Sequence, residues 1–433
     1  MQEGLNLKVW FSSQLPDDWF KRQQVDRKAT TDLESAAKVM INQIRSGGDR
    51  ALLEFTQRFD KAKLSSQTLR VSLKEIQDAY LKVTREQIAA IEFMKQRVSV
   101  FQKQLIANTA VKAFNEGVMV QTVLRPIESV GCYVPGGQAV YPSTVVMTAL
   151  VAKIAGVPRI VICSPPDAEG KINPIVLVAA DICGVTEIYK VGGTQAIAAL
   201  AYGTETIAPV LKIVGPGSKY VTMAKVLVSQ DVAIDMPAGP SEVLVLADET
   251  ADARLIAYDM ISQVEHGTDS VAALITTSLK LAEQVQENLN KFIAATPRAE
   301  KISESLNKFG FIIVCSDFEE AIKLTNQFAA EHLEVMTKDA KALSERLDAG
   351  LILVGPYTPV PLSDYASGTN HVLPTGGSAK AFSGLSVIDF MRRVSIAECS
   401  REGLEKAKVH IKVLTDTENL PNHYKAIAAR FKQ

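Results

Sequence analysis

The chain predicts an α/β fold: two Rossmann-like, doubly wound parallel-sheet domains with a helical N-terminal segment and a small helical C-terminal segment. Three observations lead there. From Val118 onward, short apolar runs alternate with helical stretches. The runs form two series separated by the Pro/Gly-rich stretch Asp235-Met-Pro-Ala-Gly-Pro-Ser241. At 433 residues, the chain also exceeds the size at which a single core usually stops growing.

Taken in order, residues 1–25 are expected to form a helical segment, and the first 110 residues read as mostly helical. S/T-x-x-E/Q capping signatures stand at Thr31–Glu34, Ser72–Glu75 and Thr84–Gln87, and Gly47-Gly48 divides the first helical stretch from the next. The first strand series comprises Arg159–Cys163, Glu187–Val191, Lys212–Val214 and Val232–Asp235. The second comprises Glu242–Leu246, Val271–Ile275, Phe311–Cys315, Leu333–Met336 and Leu351–Val354. Strands spaced by about one helix indicate right-handed βαβ units. The expected organisation is a first α/β domain from 26–129 and 242–385, a second from 130–241, and a helical segment over 386–433. Open α/β sheets bind ligands beyond the strand C-termini, where the Gly/Pro-rich loops are expected here.

Composition excludes several function classes. Lys plus Arg (47) nearly cancels Asp plus Glu (48), and no basic run or aromatic-basic stripe marks a nucleic-acid partner. A small-molecule substrate fits better. The most apolar stretch, Val145–Cys163, is interrupted by Lys153, Pro158 and Arg159, so no membrane span is expected. The N-terminus lacks the regions of a secretory signal. Five cysteines, at 132, 163, 183, 315 and 399, form no C-x-x-C pair and read as reduced, buried thiols of a cytoplasmic protein.

The candidate chemistry lies in the histidines. All five fall in the C-terminal part of the chain: His266, His332, His371, His410 and His423. Gln263 and His266 form a Q-x-x-H pair whose spacing places both side chains on one helix face, as a ligand pair or as ordinary polar surface. Glu331 and His332 are adjacent, and adjacent side chains diverge on helix and strand alike. They reach one substrate only across an irregular junction; the alternative is a helix-terminal pair facing solvent. Asp364 and His371 share Ser363-Asp-Tyr-Ala-Ser-Gly-Thr-Asn-His371, which also suits a simple turn. His410 alternates with charged and apolar residues and reads as surface. No G-x-G-x-x-G follows a strand; Val130–Gly137 and Gly215-Pro-Gly217 are glycine-rich turns, each weak evidence for a phosphate cradle.

Several motifs recur together: Val130-Gly-Cys-Tyr-Val-Pro-Gly-Gly137, Tyr141-Pro-Ser143, Gly192-Gly-Thr-Gln-Ala-Ile-Ala-Ala-Leu200, Asp235-Met-Pro-Ala-Gly-Pro-Ser-Glu-Val243, Glu331-His-Leu333 and Asp364-Tyr-Ala-Ser-Gly-Thr-Asn-His-Val-Leu-Pro-Thr375. Nearly the whole chain resembles the histidinol dehydrogenase family. The resemblance implies a zinc-dependent oxidation of L-histidinol to L-histidine through the aldehyde with two NAD, as the last step of histidine biosynthesis. It implies one zinc per subunit on Gln263, His266, Asp364 and His423, and an acid/base pair at Glu331 and His332. Beyond the zinc ligands and that pair, it implies substrate contacts at Ser241, His371 and Glu418, and dinucleotide contacts at Tyr133, Gln195 and Ser218. It also implies a homodimer in which the C-terminal segment reaches the partner's active site.

Two positions depart from the family pattern: Ser218 stands where asparagine is usual, with less hydrogen-bonding reach, and Ala330 where a proline commonly precedes the Glu-His pair. The ligand set, two imidazoles with one carboxylate and one neutral amide, suits zinc without excluding manganese or cobalt. In the reaction implied, His332 takes the alcohol proton and Glu331 activates water for addition to the aldehyde. Cys132 and Cys163 are the rival groups for covalent aldehyde capture, but their apolar neighbours favour packing. Other readings are a related zinc- and NAD-dependent dehydrogenase of another small polar alcohol, a metal-dependent hydrolase, and a zinc-stabilised nucleotide-binding module.

Overall fold

The computed structural model describes residues 5, 7–17, 19–20, 27–109, 111–137 and 139–431. Its strands are β1 (Lys8–Phe11), β2 (Lys112–Asn115), β3 (Val118–Pro126), β4 (Ser129–Tyr133), β5 (Arg159–Ser164), β6 (Glu187–Lys190), β7 (Lys212–Val214), β8 (Ala233–Ile234), β9 (Glu242–Ala247), β10 (Val271–Thr276), β11 (Phe311–Val314), β12 (His332–Met336), β13 (Leu351–Val354) and β14 (Met391–Cys399). Five of them form a parallel sheet in the order β6-β5-β4-β7-β8, and six form another in the order β1-β11-β10-β9-β12-β13. Non-consecutive neighbours within each sheet are the mark of βαβ crossovers, so the expected two-sheet α/β fold is present.

The inner strands are largely apolar and buried along nearly their whole length, as strands covered on both faces must be. Val243, Val245, Ala272 and Leu274 face one core of the six-stranded sheet, while Leu244, Leu246, Ala273 and Ile275 face the other. The five-stranded sheet divides in the same way, with Val130 and Ile162 on one side and Val161 and Ile213 on the other. The period of two therefore sorts each strand between two helical layers.

Three expectations need correction. Residues 26–129 do not join the six-stranded unit. Ile76, Met94 and Val98 share a core with Val130 and Ile162, and Ile41, Ile44 and Leu52 share one with Ile197 and Leu200. These helices thus cover the five-stranded sheet, a tertiary choice that local pattern does not record.

Within 1–25, much of which lies outside the described residues, Lys8–Phe11 is a strand. It pairs with β11 because Val-Trp-Phe is too short for a stable helix and suits a sheet edge. The segment 386–433 is not wholly helical either: β14 pairs antiparallel with β3, in a third sheet of order β14-β3-β2, before the helices Arg401–Thr417 and Pro421–Ala429.

The local signals fare better. Ser72 and Thr84 open helices with full capping boxes to Glu75 and Gln87, whereas Thr31 lies inside the Arg27–Phe59 helix. Gly48 breaks that helix with φ 53° and ψ −138°. Among the described residues no helix is long and apolar enough to cross a membrane.

Candidate active site

Glu331 and His332 stand where a helix gives way to a strand. The helix Phe318–Phe328 ends on Ala329 in the left-handed conformation, φ 48°, and β12 begins at His332. That break lets both side chains of the adjacent pair serve one buried place, Glu331 being 7 % and His332 3 % exposed. The Glu331 carboxylate accepts from the Glu242 backbone N–H at 2.8 Å, and the Glu242 carboxylate accepts from the Glu331 N–H at 3.3 Å. Glu242 is itself buried and accepts a further bond from Gly376 N–H at 2.9 Å.

This anchoring fixes the tautomer of the neutral imidazole. His332 Nδ1 lies 3.2 Å from the Glu242 carbonyl oxygen, which only accepts, so Nδ1 carries the proton and donates. In the neutral ring Nε2 then keeps its lone pair. Nε2 is buried without a hydrogen-bond partner, 3.9 Å from Asp364 Oδ1. Burial alone would lower the proton affinity of the ring, but the carboxylates of Glu331 and Asp364 and the Glu242 carbonyl outweigh it and hold the pKa above its ordinary value. A neutral histidine so placed can accept a proton at Nε2.

Asp364 reaches this place because the helix Val360–Tyr365 runs back along β12, with Val360 N–H on Glu334 at 2.8 Å and Asp364 beside His332. The following loop crosses to the five-stranded unit: Asn370 donates to the Met147 carbonyl at 2.7 Å, and His371 Nε2 is 3.5 Å from Thr144 Oγ1. Burial holds the His371 ring below its usual pKa, so it is neutral at pH 7. Ser241, half-buried, precedes Glu242 and accepts from Val271 N–H at 2.9 Å.

The site lies at the N-terminal ends of β9 and β12, not beyond the strand C-termini. The residues expected to meet a dinucleotide lie instead at or after the C-terminal ends of their strands. Tyr133 ends β4, Gly192-Gly193 follow β6, and Gly215-Pro-Gly217 follow β7. Tyr133 is buried and its hydroxyl accepts from Gly193 N–H at 3.1 Å. Gln195, in the helix Gly193–Tyr202, is buried with its amide on Asp60 at 3.2 Å. Ser218 is exposed and precedes the helix Lys219–Val228 without a side-chain cap bond. Beneath it a buried Lys225–Asp235 ion pair pins the turn, Lys225 donating to Gly215 O at 2.9 Å and Asp235 accepting from Gly215 N–H at 2.7 Å. A side chain at Gly215 would put its Cβ 2.2 Å from the Tyr133 carbonyl, so the close approach requires glycine.

The expected ligand residues divide. Gln263 is buried in the helix Ala253–Val264, but His266 lies past its end and is exposed, so the two do not share a helix face as their spacing predicts. Asp364 is half-buried at the site. His423 opens the helix Pro421–Ala429 and is exposed, as is Glu418 at the end of Arg401–Thr417. Among the described residues no three His, Cys, Asp or Glu side chains converge as a metal cage, so one chain does not unite His266, Asp364 and His423. The donor types still suit zinc, as a set divided between the body and a C-terminal arm.

Cys132 is fully buried and burial pushes its thiol up to about 12; Cys163 is buried with its thiol raised further, so neither is poised as a nucleophile. Cys399 departs from the expectation of burial and is exposed. Glu242 was invisible as a site residue to sequence reasoning, although a carboxylate opening the apolar run Val243–Leu246 is a signal that could have revealed it.

Fold and site together define a two-sheet α/β enzyme with a buried carboxylate and imidazole arranged for proton transfer. A family model described as histidinol dehydrogenase matches residues 22–431. A histidinol dehydrogenase of Methanothermobacter thermautotrophicus is 44% identical over 91% of this chain and 92% of its own, and one of Bacteroides thetaiotaomicron is 46% identical over 93% and 94%. The crystal structure of histidinol dehydrogenase from Elizabethkingia anophelis matches with a TM-score of 0.93 at 35% identity, over 99% of each chain. The chain belongs to the histidinol dehydrogenase family and is an oxidoreductase of two-sheet α/β fold.

Proposed function

We propose that this chain oxidises L-histidinol to L-histidine through the aldehyde, with two NAD and one zinc per subunit, as the last step of histidine biosynthesis in the cytoplasm. The observation that carries the reading is His332, whose Nδ1 is committed to the Glu242 carbonyl while Nε2 is buried without a partner. His332 Nε2 takes the hydroxyl proton as hydride leaves the alcohol carbon. Glu331 takes a proton from the water that adds to the aldehyde while His332 returns its proton to the carbonyl oxygen, and the neutral His332 then takes a hydroxyl proton of the resulting hydrate as the second hydride leaves. When bound, zinc would hold the amine and imidazole nitrogens of the amino alcohol, and NAD would accept hydride.

Gln263, His266 and Asp364 of one copy would hold the metal with His423 of a second, and Ser241, His371 and Glu418 would line the substrate. Two features support a shared site in a homodimer. His423 belongs to a helix held on Arg401–Thr417 by Lys412 over the Tyr424 ring and by Lys408 and Arg401 over Phe431. Val409, Val413, Leu414 and Leu420 on the same arm are exposed, an apolar surface that a second copy would cover. Tyr133, Gln195 and Ser218 would receive the dinucleotide.

The test is NADH absorbance from zinc-loaded protein with NAD and L-histidinol, with histidine quantified at completion. Two NADH per histidine is the expected result. No NADH from folded, zinc-containing protein would overturn the reading.

A further inference from the structure

We propose that Asp60 is a positioning residue for dinucleotide binding: its carboxylate fixes which end of the Gln195 amide is turned toward the bound cofactor. The inference rests on the reading of Tyr133 and Gln195 as dinucleotide contacts and deepens it. Asp60 follows the helix Arg27–Phe59 and is half-buried, with Oδ2 3.2 Å from Gln195 Nε2. A carboxylate only accepts hydrogen bonds, so it holds the NH2 end of the amide and leaves the carbonyl oxygen directed elsewhere. An amide with a neutral or absent partner would have no such fixed sense.

The surrounding backbone is shaped for this one orientation. Gln195 Oε1 lies 2.7 Å from where a Cβ would stand at Gly193, whose φ is +61°, so the backbone conformation favours glycine there and a side chain would push the amide out of this orientation. The Gly193 N–H is held by the Tyr133 hydroxyl. Asp60 Oδ1 lies 3.3 Å from the Cβ position of Gly192. At Gly192 the side chain of Pro165 is nearer still, at 2.5 Å, so this turn is packed on both sides, and the Asp60–Gln195 bond joins the end of an N-terminal helix to it. Burial pushes the Asp60 carboxyl up to about 6, with the Gln195 amide opposing the rise. The group is therefore mostly ionised at pH 7, at a cost that the hydrogen bond to Gln195 only partly offsets.

Calorimetric titration of NAD into the full-length protein, without amino alcohol, tests the assignment in Asp60→Ala, Asp60→Asn, Gln195→Ala and the Asp60→Ala/Gln195→Ala double variant. Asp60→Ala should raise the Kd for NAD about tenfold, equivalent to about 1.4 kcal/mol. Asp60→Asn should raise it about threefold, because its amide still accepts from Gln195 but also permits the reversed orientation. In the double variant the loss of Asp60 should add nothing to Gln195→Ala, and in turnover the KM for NAD should rise more than kcat falls. An unchanged Kd in the Asp60 variants while Gln195→Ala weakens binding, or fully additive losses, would overturn the role of Asp60. An unchanged Kd in Gln195→Ala would overturn the cofactor reading itself. Circular dichroism confirms folding, and if Asp60→Ala does not fold, Asp60→Asn carries the comparison.

Discussion

The two sheets carry the residues expected at the site on opposite strand ends. The five-stranded sheet offers the C-terminal ends of β4, β6 and β7, where glycine turns and strand ends carry Tyr133 and Gly192-Gly193. The six-stranded sheet offers the N-terminal ends of β9 and β12, which carry Glu242 and His332. The polar groups differ accordingly. At the glycine turns they are satisfied within the protein: Tyr133 by Gly193, Gln195 by Asp60, Asp235 by Gly215 and Lys225. At the other edge His332 keeps one buried nitrogen without a partner. The first end is built to keep a shape and the second to keep a lone pair.

Variants can break this contrast. The largest effect is expected from the divided ligand set: His423→Asn or His266→Ala should abolish turnover and lower zinc content while circular dichroism shows the fold intact. Mixing a Glu331 variant with a His423 variant should restore part of the activity through hybrid dimers. Hybrids that assemble but stay inactive would argue against sites shared between copies.

Next in size, His332→Ala should lower kcat by about 10²–10⁴-fold, the usual contribution of a general base, measured as NADH formation in the alcohol step. A fall below tenfold would remove the unpartnered nitrogen from the mechanism.

Glu331→Gln sharpens the electrostatic side. His332 acts as a base only when neutral, so the acid limb of the pH profile follows its pKa, which Glu331 helps to raise. Removing that negative charge lowers the pKa and moves the acid limb of alcohol oxidation to lower pH; a shift upward would contradict the assignment. Replacing both Cys132 and Cys163 with serine should leave each oxidation step within about twofold where folding is retained, since burial keeps both thiols protonated.

The smallest effect tests the junction itself. Ala329→Gly should relieve a left-handed alanine and raise stability by about 0.5–1 kcal/mol, read from thermal melts.

Much of this was legible in the sequence because it is local. The strand series, the capping boxes at Ser72 and Thr84, the break at Gly48 and the crossing at Asp235–Ser241 each depend on a few neighbouring residues. The helix–strand junction at Glu331-His332 could be inferred because two adjacent side chains otherwise diverge. What escaped depends on distant partners. Lys8–Phe11 becomes a strand only against Phe311–Val314, and Met391–Cys399 only against Val118–Pro126. The packing of residues 27–107 on the five-stranded sheet, and the anchoring of His332 by Glu242, likewise need contacts that no local period encodes. The expectation for His266 fails because the helix carrying Gln263 ends at Val264, two residues before His266, so the pair does not share a helix face.

The pairing of β1 with β11 also sets an order of assembly during synthesis. The five-stranded sheet is drawn from the contiguous stretch Ser129–Ile234 and can close as soon as that stretch has left the ribosome. The edge strand Lys8–Phe11 emerges before every other strand of its sheet, yet its partner Phe311–Val314 is made only some three hundred residues later. Translated at about 5–20 residues per second, the chain carries that apolar strand unpaired for about 15–60 seconds. The half that carries Glu331 and His332 is therefore the last to become safe from chaperones, proteases and other nascent chains.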